Sequence, residues 1–116
     1  MKDFGISDNS SRLIKEALQK YPEVEEVVIF GSRARGSFKR GSDIDLAIKG
    51  KECNEQLAMN ISTWLNEEMP LPYFVDIIYY NEFMHQQLKE HIDRFGKTFF
   101  KSMQSYIPNE PSGTET

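Results

Sequence analysis

Three aspartates occupy segments that otherwise have the composition of core strands. Asp43 and Asp45 are separated by one residue, so on a strand they would project from the same face. Asp76 interrupts the apolar stretch FVDII, where a lone charge has no structural use. Neighbouring carboxylates repel each other, and burying either one would be costly and would raise the pKa of one of them. A bound divalent cation would relieve this repulsion.

Magnesium is the cation that such a set of ligands favours, because it prefers hard oxygen atoms and phosphate co-ligands. Three carboxylates can hold two magnesium ions about 3.5–4 Å apart, an arrangement that clamps the attacking and leaving oxygens in nucleotidyl transfer. The pattern therefore predicts a two-metal site formed by Asp43, Asp45 and Asp76.

A glycine and a serine come ten residues before the aspartate pair. Gly31 would let the backbone approach a phosphate closely, and Ser32 would offer a hydroxyl and an N–H at a candidate helix start. The same loop is basic and contains no acid between its first and last cation; its cations are Arg33, Arg35, Lys39 and Arg40. Each feature alone is more often a turn, a cap or a solvated loop. Their combination points to a nucleotide.

The elements that position these residues alternate between helix and strand. We predict an α/β (α+β) fold of order α-β-α-β-α-β-α around a small mixed three-stranded sheet, with one short helical turn in the loop after the first strand. If the first two strands are antiparallel neighbours, Gly31-Ser32 and the aspartate pair meet at one sheet edge, which the third strand reaches after a crossover helix. The predicted segments are a helix from Ser7–Ser10 to about Lys20, strands at 24–30, 43–48 and 73–80, a helix at 53–68, a helix from Asn81 to about Arg94, and a final turn with Phe99, Phe100 and Met103.

Length and composition indicate one small globular domain. We assign residues 1–107 to the domain and residues 108–116, with the sequence PNEPSGTET, to a flexible tail. The net charge of −4 argues against direct binding to nucleic acid, whereas one local basic loop suits a small polyanion. No apolar run approaches membrane-spanning length and the N-terminus has no signal pattern, so we expect a cytoplasmic protein.

The remaining reactive or aromatic residues are assigned structural roles. Cys53 is the single cysteine and is predicted to be a plain thiol. His85 and His91 are six residues apart on a predicted helix and cannot share a face, so we interpret them as surface or partner contacts rather than metal ligands. The large aromatics predicted to lie in the core are Trp64, Tyr73, Phe74, Tyr79 and Tyr80.

The string FGSRARGSFKRGSDIDLAI resembles the signature of the DNA polymerase beta-like nucleotidyltransferase superfamily. It is similar in particular to the minimal nucleotidyltransferase (MNT) branch, over about residues 10 to 100, and to its MntA-like antitoxins. The resemblance implies that Gly31 and Ser32 hold the triphosphate of ATP, with Arg33 over the phosphates. It also implies that Asp43 and Asp45 ligate both Mg²⁺ ions, and that Asp76 ligates the catalytic ion and helps to deprotonate the acceptor hydroxyl.

The acceptor is the open part of this interpretation, because larger relatives carry a further domain for it. The acceptor-binding part of the site could come from a partner chain or from a second copy in a homo-oligomer. MNT proteins are paired with small helical HEPN proteins, so the resemblance implies an antitoxin that transfers AMP from ATP to a tyrosine hydroxyl of a HEPN ribonuclease toxin. Two alternatives stay open: transfer to a small hydroxyl compound such as an aminoglycoside, and a non-catalytic nucleotide-binding subunit that inhibits by contact.

Overall fold

The computed structural model describes residues 4–39 and 41–102, which form an alternating helix and strand structure. In chain order the elements are α1 (Asp8–Leu18), β1 (Glu26–Phe30), α2 (Ser32–Arg35), β2 (Ile44–Lys49), α3 (Glu55–Glu68), β3 (Val75–Tyr79), α4 (Gln86–Phe95) and β4 (Lys97–Lys101). Arg40, Met103, the proposed domain boundary at 107 and the proposed tail at 108–116 lie outside the described residues.

The strands form one mixed sheet of order β3-β2-β1-β4. β1 and β2 are antiparallel neighbours, and β3 joins β2 in parallel after the crossover helix α3. The α/β class, the short helix after β1 and the convergence of the first three strands at one edge are therefore confirmed. Across the described residues no helix is both long and apolar enough to cross a membrane.

The predicted three-stranded sheet is wrong by one strand. Lys97–Lys101 forms β4, antiparallel to β1, where we had predicted only a final turn. Without it, the outer edge of β1 would leave its backbone groups without strand partners, and Phe99 and Phe100 would lose their buried positions. The helix-to-strand connection is a single residue, Gly96, whose missing Cβ would lie 2.5 Å from both the Ile92 oxygen and Val28 Cγ1. Because no turn of several residues separates α4 from β4, the sequence pattern does not reveal where the strand begins.

Each face of the sheet packs against different helices. The larger core lies on the side of α1 and α3 and includes Ile14, Ile61 and Leu65. A smaller cluster on the other side joins Val28, Phe30 and Ala47 to Ile92 of α4. Because side chains alternate along a strand, the residues of β2 that flank Asp45 point into the larger core, and Asp45 itself lies on the α4 side.

Some boundaries and burial assignments also differ from the prediction. α4 begins at Gln86 rather than just after Asn81, because the Asn81 side chain forms a local turn that accepts the Phe83 N–H and donates to the Tyr79 oxygen. Phe83, which falls within the predicted helix, consequently lies before α4 and is 94% exposed. Among the aromatics predicted as core, Trp64 and Phe74 are exposed, whereas Tyr73, Tyr79 and Tyr80 are partly buried.

Candidate active site

The predicted carboxylates lie at the end of the sheet where β2 and β3 begin. Asp45 and Asp76 are directly opposite each other in the parallel pairing of these strands, so their side chains leave the same face of the sheet. Asp43 comes two residues before Asp45, at the approach to β2. Asp43 and Asp76 are exposed and Asp45 is half-buried. The three residues therefore form one acidic edge that solvent can reach.

The charges of this edge act on Asp45 as the sequence predicted. Burial raises the pKa of Asp45 above its ordinary value, and the neighbouring carboxylates of Asp76 and Asp43 raise it further. His91 and Arg33 oppose these effects by lowering the pKa. Burial and carboxylate repulsion outweigh these opposing charges, so the ionised form of Asp45 is disfavoured.

Gly31 lies against this edge, immediately after β1. Its backbone has φ 77° and ψ −155°, a conformation that is essentially restricted to glycine. A Cβ at this position would lie 2.5 Å from Oδ2 of Asp45, because Phe30 is paired with Asp45 in the β1–β2 ladder. Ser32 follows as the first residue of α2 and is partly exposed. Gly31 thus lies beside Asp45, with Ser32 next to it in the chain, and the predicted roles of both residues toward a triphosphate stay predictions.

His91 is a site residue that the sequence interpretation missed. Its Nε2 accepts a hydrogen bond of 3.3 Å from the Gly31 N–H, and its ring packs edge-on to Phe30 and at a tilt to Phe95. It therefore supports the glycine that contacts Asp45, an intramolecular role that the sequence interpretation did not include. His91 is partly buried, and the predicted partner contact stays a prediction. The available signal was its spacing from Phe95, four residues along the apolar side of α4. His85 precedes α4 as its N-cap residue and is exposed.

Arg33 is turned into the protein rather than toward the acidic edge's open side. It is 3% exposed. Its Nε and Nη2 donate to the Ser42 oxygen at 3.1 and 2.7 Å, and its Nη1 donates to the Phe4 oxygen at 2.9 Å. The guanidinium also lies over two aromatic rings, those of Phe38 and Tyr73. This conformation differs from the expected position of Arg33 over the phosphates. The guanidinium is enclosed by the protein, and its donors hold the loop that leads into Asp43.

The other cations of the loop differ from Arg33. Arg35 is exposed, with its guanidinium 5.0 Å from the centre of the Phe95 ring. Lys39 is exposed, and its main-chain N–H donates to Ser42 Oγ. Arg35 and Lys39 are therefore the described loop cations whose charges are open to a ligand.

The donor set suits a hard divalent cation. Within residues 4–39 and 41–102 no three carboxylate, imidazole or thiol groups are already gathered as a metal site. The three aspartates nevertheless offer only carboxylate oxygens, two of them on exposed side chains. A cation would offset the burial and the carboxylate repulsion that together raise the pKa of Asp45. Mg²⁺ fits these residues by donor chemistry, and the number of ions stays a prediction.

Comparison with known proteins identifies a family whose sequence profile matches this chain. The sequence profile of the family described as polymerase beta, nucleotidyltransferase matches residues 12–105, which include Gly31, Ser32 and all three aspartates. No curated protein matches the chain significantly.

Several solved structures share the fold. One, a toxin–antitoxin with AMP-PNP, contains a chain that is 22% identical with a TM-score of 0.63, over 83% of this chain and 76% of that one. Another, a tri-AMPylated HEPN toxin from Shewanella oneidensis in complex with MNT antitoxin, gives 17% identity and a TM-score of 0.59 over 83% and 73%. A candidate nucleotidyltransferase from Sulfolobus solfataricus is 30% identical, with a TM-score of 0.51 over 79% and 77%. Since the family profile spans most of the sequence and the site lies within it, this chain belongs to the polymerase beta nucleotidyltransferase family.

Proposed function

We propose that this chain is a magnesium-dependent nucleotidyltransferase that transfers AMP from ATP to a tyrosine hydroxyl of a HEPN-type ribonuclease toxin. By modifying its partner it acts as the antitoxin of the pair, in the cytoplasm. The observation that carries the proposal is the in-register pair Asp45 and Asp76, with Gly31 packed against the first carboxylate. A purely structural sheet edge gains nothing from opposed like charges.

The roles follow from the positions of the residues. Asp43, Asp45 and Asp76 would hold Mg²⁺, which when bound neutralises phosphate charge and orients the reacting oxygens. Gly31 lets the backbone and the Ser32 N–H and hydroxyl approach the triphosphate without steric hindrance. Arg33 and His91 act as positioning residues, since one holds the loop before Asp43 and the other holds the Gly31 peptide.

The proposed reaction is a displacement at the α-phosphorus of ATP. The tyrosine oxygen forms a bond to this phosphorus, the bond to the β-phosphate oxygen breaks, and pyrophosphate leaves. Asp76 accepts the tyrosine proton. Its carboxylate is suited to this because it is exposed at the edge, whereas Asp45 is half-buried behind Gly31.

The choice of acceptor is supported by the complexes in which the related structures occur. Matched chains belong to complexes described as toxin–antitoxin with AMP-PNP and as a tri-AMPylated HEPN toxin with MNT antitoxin. Those descriptions concern other proteins at about one fifth sequence identity, and they motivate the acceptor class proposed for this chain.

A transfer assay tests the proposal. We would incubate the chain with α-³²P-ATP, MgCl₂ and a purified HEPN-type ribonuclease, the proposed partner. We expect label on tyrosine of the ribonuclease, loss of label with EDTA, and a decrease of at least about 100-fold with Asp45→Asn or Asp76→Asn, since loss of a ligand should exceed the effect of losing an outer-shell partner. Glu67→Gln, an exposed change of the same kind on α3, should retain full transfer.

Other outcomes identify other functions. Label that appears on a small hydroxyl compound in a cell extract, with none on protein, would contradict the protein acceptor. Neutralisation of the ribonuclease by the Asp45→Asn variant, without any label, would indicate inhibition by contact and contradict the enzymatic antitoxin.

A further inference from the structure

β3 is an edge strand of the described sheet, and its outer side faces no neighbouring strand of the described residues. Within the part of the chain that the structure describes, it pairs only with β2, through bonds that include Ile44 N–H to the Phe74 oxygen and Tyr80 N–H to the Ile48 oxygen. Backbone direction alternates along a strand, so the even-numbered residues of this stretch face β2. The N–H and C=O groups of Val75, Ile77 and Tyr79 therefore face away from the sheet.

Side chains of the protein cover both ends of this outer row. At Val75, Asn66 accepts the N–H at 2.8 Å, and Asn66 and Ser62 donate to the oxygen. At Tyr79, the Asn81 amide donates to the oxygen. Between them, no hydrogen-bond partner from the described part of the chain faces the Ile77 N–H, the Ile77 oxygen or the Tyr79 N–H. The open part of the edge thus presents a donor, an acceptor and a donor at strand spacing.

These three groups open into a groove of about 610 Å³ that runs along β3. One wall comes from α3, where Met59 is 62% exposed, and the other comes from the segment after β3, where Phe83 is 94% exposed. Asp76 also lines the groove. Two large apolar side chains this exposed, beside unpaired strand groups, are typical of a surface that a polypeptide covers. The groove is continuous with the acidic edge.

We propose that an extended segment of the acceptor protein adds to the sheet at β3, pairs with Ile77 and Tyr79, and thereby brings its tyrosine hydroxyl to Asp76. The proposal rests on the proposed function and specifies how its acceptor docks. An added strand would lie about 4.8 Å from β3. Its side chain opposite Asp76 would project from the same face as the carboxylates, while neighbouring apolar side chains would contact Met59 and Phe83.

The observations favour a polypeptide over other occupants. A nucleobase could use one donor and one acceptor of Ile77, but it would leave the Tyr79 N–H and the two exposed apolar walls uncovered. Ser102, the last described residue, follows β4 at the opposite edge of the sheet from β3. An acceptor strand uses all three backbone groups, both walls and the proximity to Asp76.

Backbone amide exchange by NMR tests the docking directly. The probes are the HEPN-type protein that gains label in the transfer assay and a synthetic peptide centred on its labelled tyrosine. We expect exchange of the Ile77 and Tyr79 amides to slow at least tenfold when either probe binds. The Val75 amide, already bonded to Asn66, serves as the internal control and should change little.

Substitutions on the groove wall provide a second measurement. Met59→Lys should raise the KM for the acceptor at least about tenfold while leaving kcat and the Kd for Mg-ATP unchanged, because it removes one apolar contact and places a desolvated charge in the groove. Asn60→Lys adds the same charge at the next residue of α3, outside the groove lining, and should behave as wild type.

The outcomes separate this proposal from the one on which it rests. Normal labelling of the acceptor with unprotected Ile77 and Tyr79 amides, or with equal effects of Met59→Lys and Asn60→Lys, overturns the docking proposal alone. Protection by Mg-ATP alone assigns the groove to the nucleotide, and protection that rises with chain concentration assigns it to a second copy; both overturn it. If no protein gains label, the proposed function fails and the docking proposal fails with it.

Discussion

Gly31 and Asp45 are packed so closely that a Cβ on residue 31 would lie 2.5 Å from the carboxylate oxygen. The glycine is in a backbone region that other residues essentially do not adopt. Sequence spacing had placed these residues in one site, and the structure shows them in direct contact across the β1–β2 ladder.

Gly31→Ala should therefore impair both stability and transfer. We expect a loss of roughly 1–3 kcal/mol in the free energy of unfolding from the backbone conformation alone, with further loss as Asp45 is displaced. Thermal unfolding and the labelled-ATP assay measure the two effects. Gly36→Ala is the matched control, since Gly36 also has a positive φ but has open space where a Cβ would be; it should cost only about 1–2 kcal/mol and keep the transfer rate. Equal behaviour of the two variants would contradict the packing argument.

His91→Ala should weaken use of ATP without abolishing it. The substitution removes the acceptor of the Gly31 N–H, and one net hydrogen bond of about 1 kcal/mol corresponds to roughly a fivefold rise in the KM for ATP. His91→Gln, which supplies another acceptor, should restore part of the loss. His85→Ala should leave the KM for ATP unchanged, because His85 is exposed and makes no side-chain cap to α4. A KM for ATP that His91→Ala leaves at the wild-type value would exclude the positioning role.

Asp45→Asn should stabilise the metal-free protein at neutral pH. The pKa of Asp45 is raised in the folded state by burial and by the carboxylates of Asp76 and Asp43, so its ionised form opposes folding above the ordinary value of 3.8. We expect a higher Tm for the variant than for the wild type at pH 7 in EDTA. The gain should vanish well below pH 3.8, where both states hold the proton. A lower Tm for the variant at pH 7 would contradict this account.

Arg33→Met should destabilise the fold rather than only weaken nucleotide binding. It removes three donors from the partly buried oxygens of Phe4 and Ser42, for an expected cost of about 2–4 kcal/mol measured by urea unfolding. Arg35→Met, which removes an exposed guanidinium of the same loop, should stay within about 0.5 kcal/mol of wild type. If Arg33→Met instead raised the KM for ATP at unchanged stability, Arg33 would contact the phosphates directly.

Cys53 should be unreactive in the folded protein, as a plain thiol. It is buried, its Sγ donates to the Glu23 oxygen, and burial followed by the charges of Glu23 and Glu25 raises its pKa to about 11. At pH 8 only about one thiol in a thousand would be ionised, so alkylation by iodoacetamide should be at least roughly 100-fold slower than for an exposed cysteine. The rate should rise as the pH approaches 11 and should become ordinary in urea. Rapid alkylation of the native protein at pH 8 would contradict the burial of the thiol.

The sequence by itself determined the fold class, the family and the positions of the acidic edge. These depend on short-range features: alternation puts Asp43 and Asp45 on one face, and the glycine-serine spacing places the loop before them. The structure's Asp45–Asp76 pairing and Gly31 contact agree with that arrangement.

Tertiary structure alone decided which neighbours these residues meet. The guanidinium of Arg33 turns inward because the Phe4 and Ser42 oxygens, from distant segments, accept from it. His91 reaches Gly31 because α4 packs on β1, and β4 forms because β1 had an open edge. Sequence periodicity specifies the face on which a side chain lies, whereas the group opposite that face depends on contacts between residues far apart in the chain.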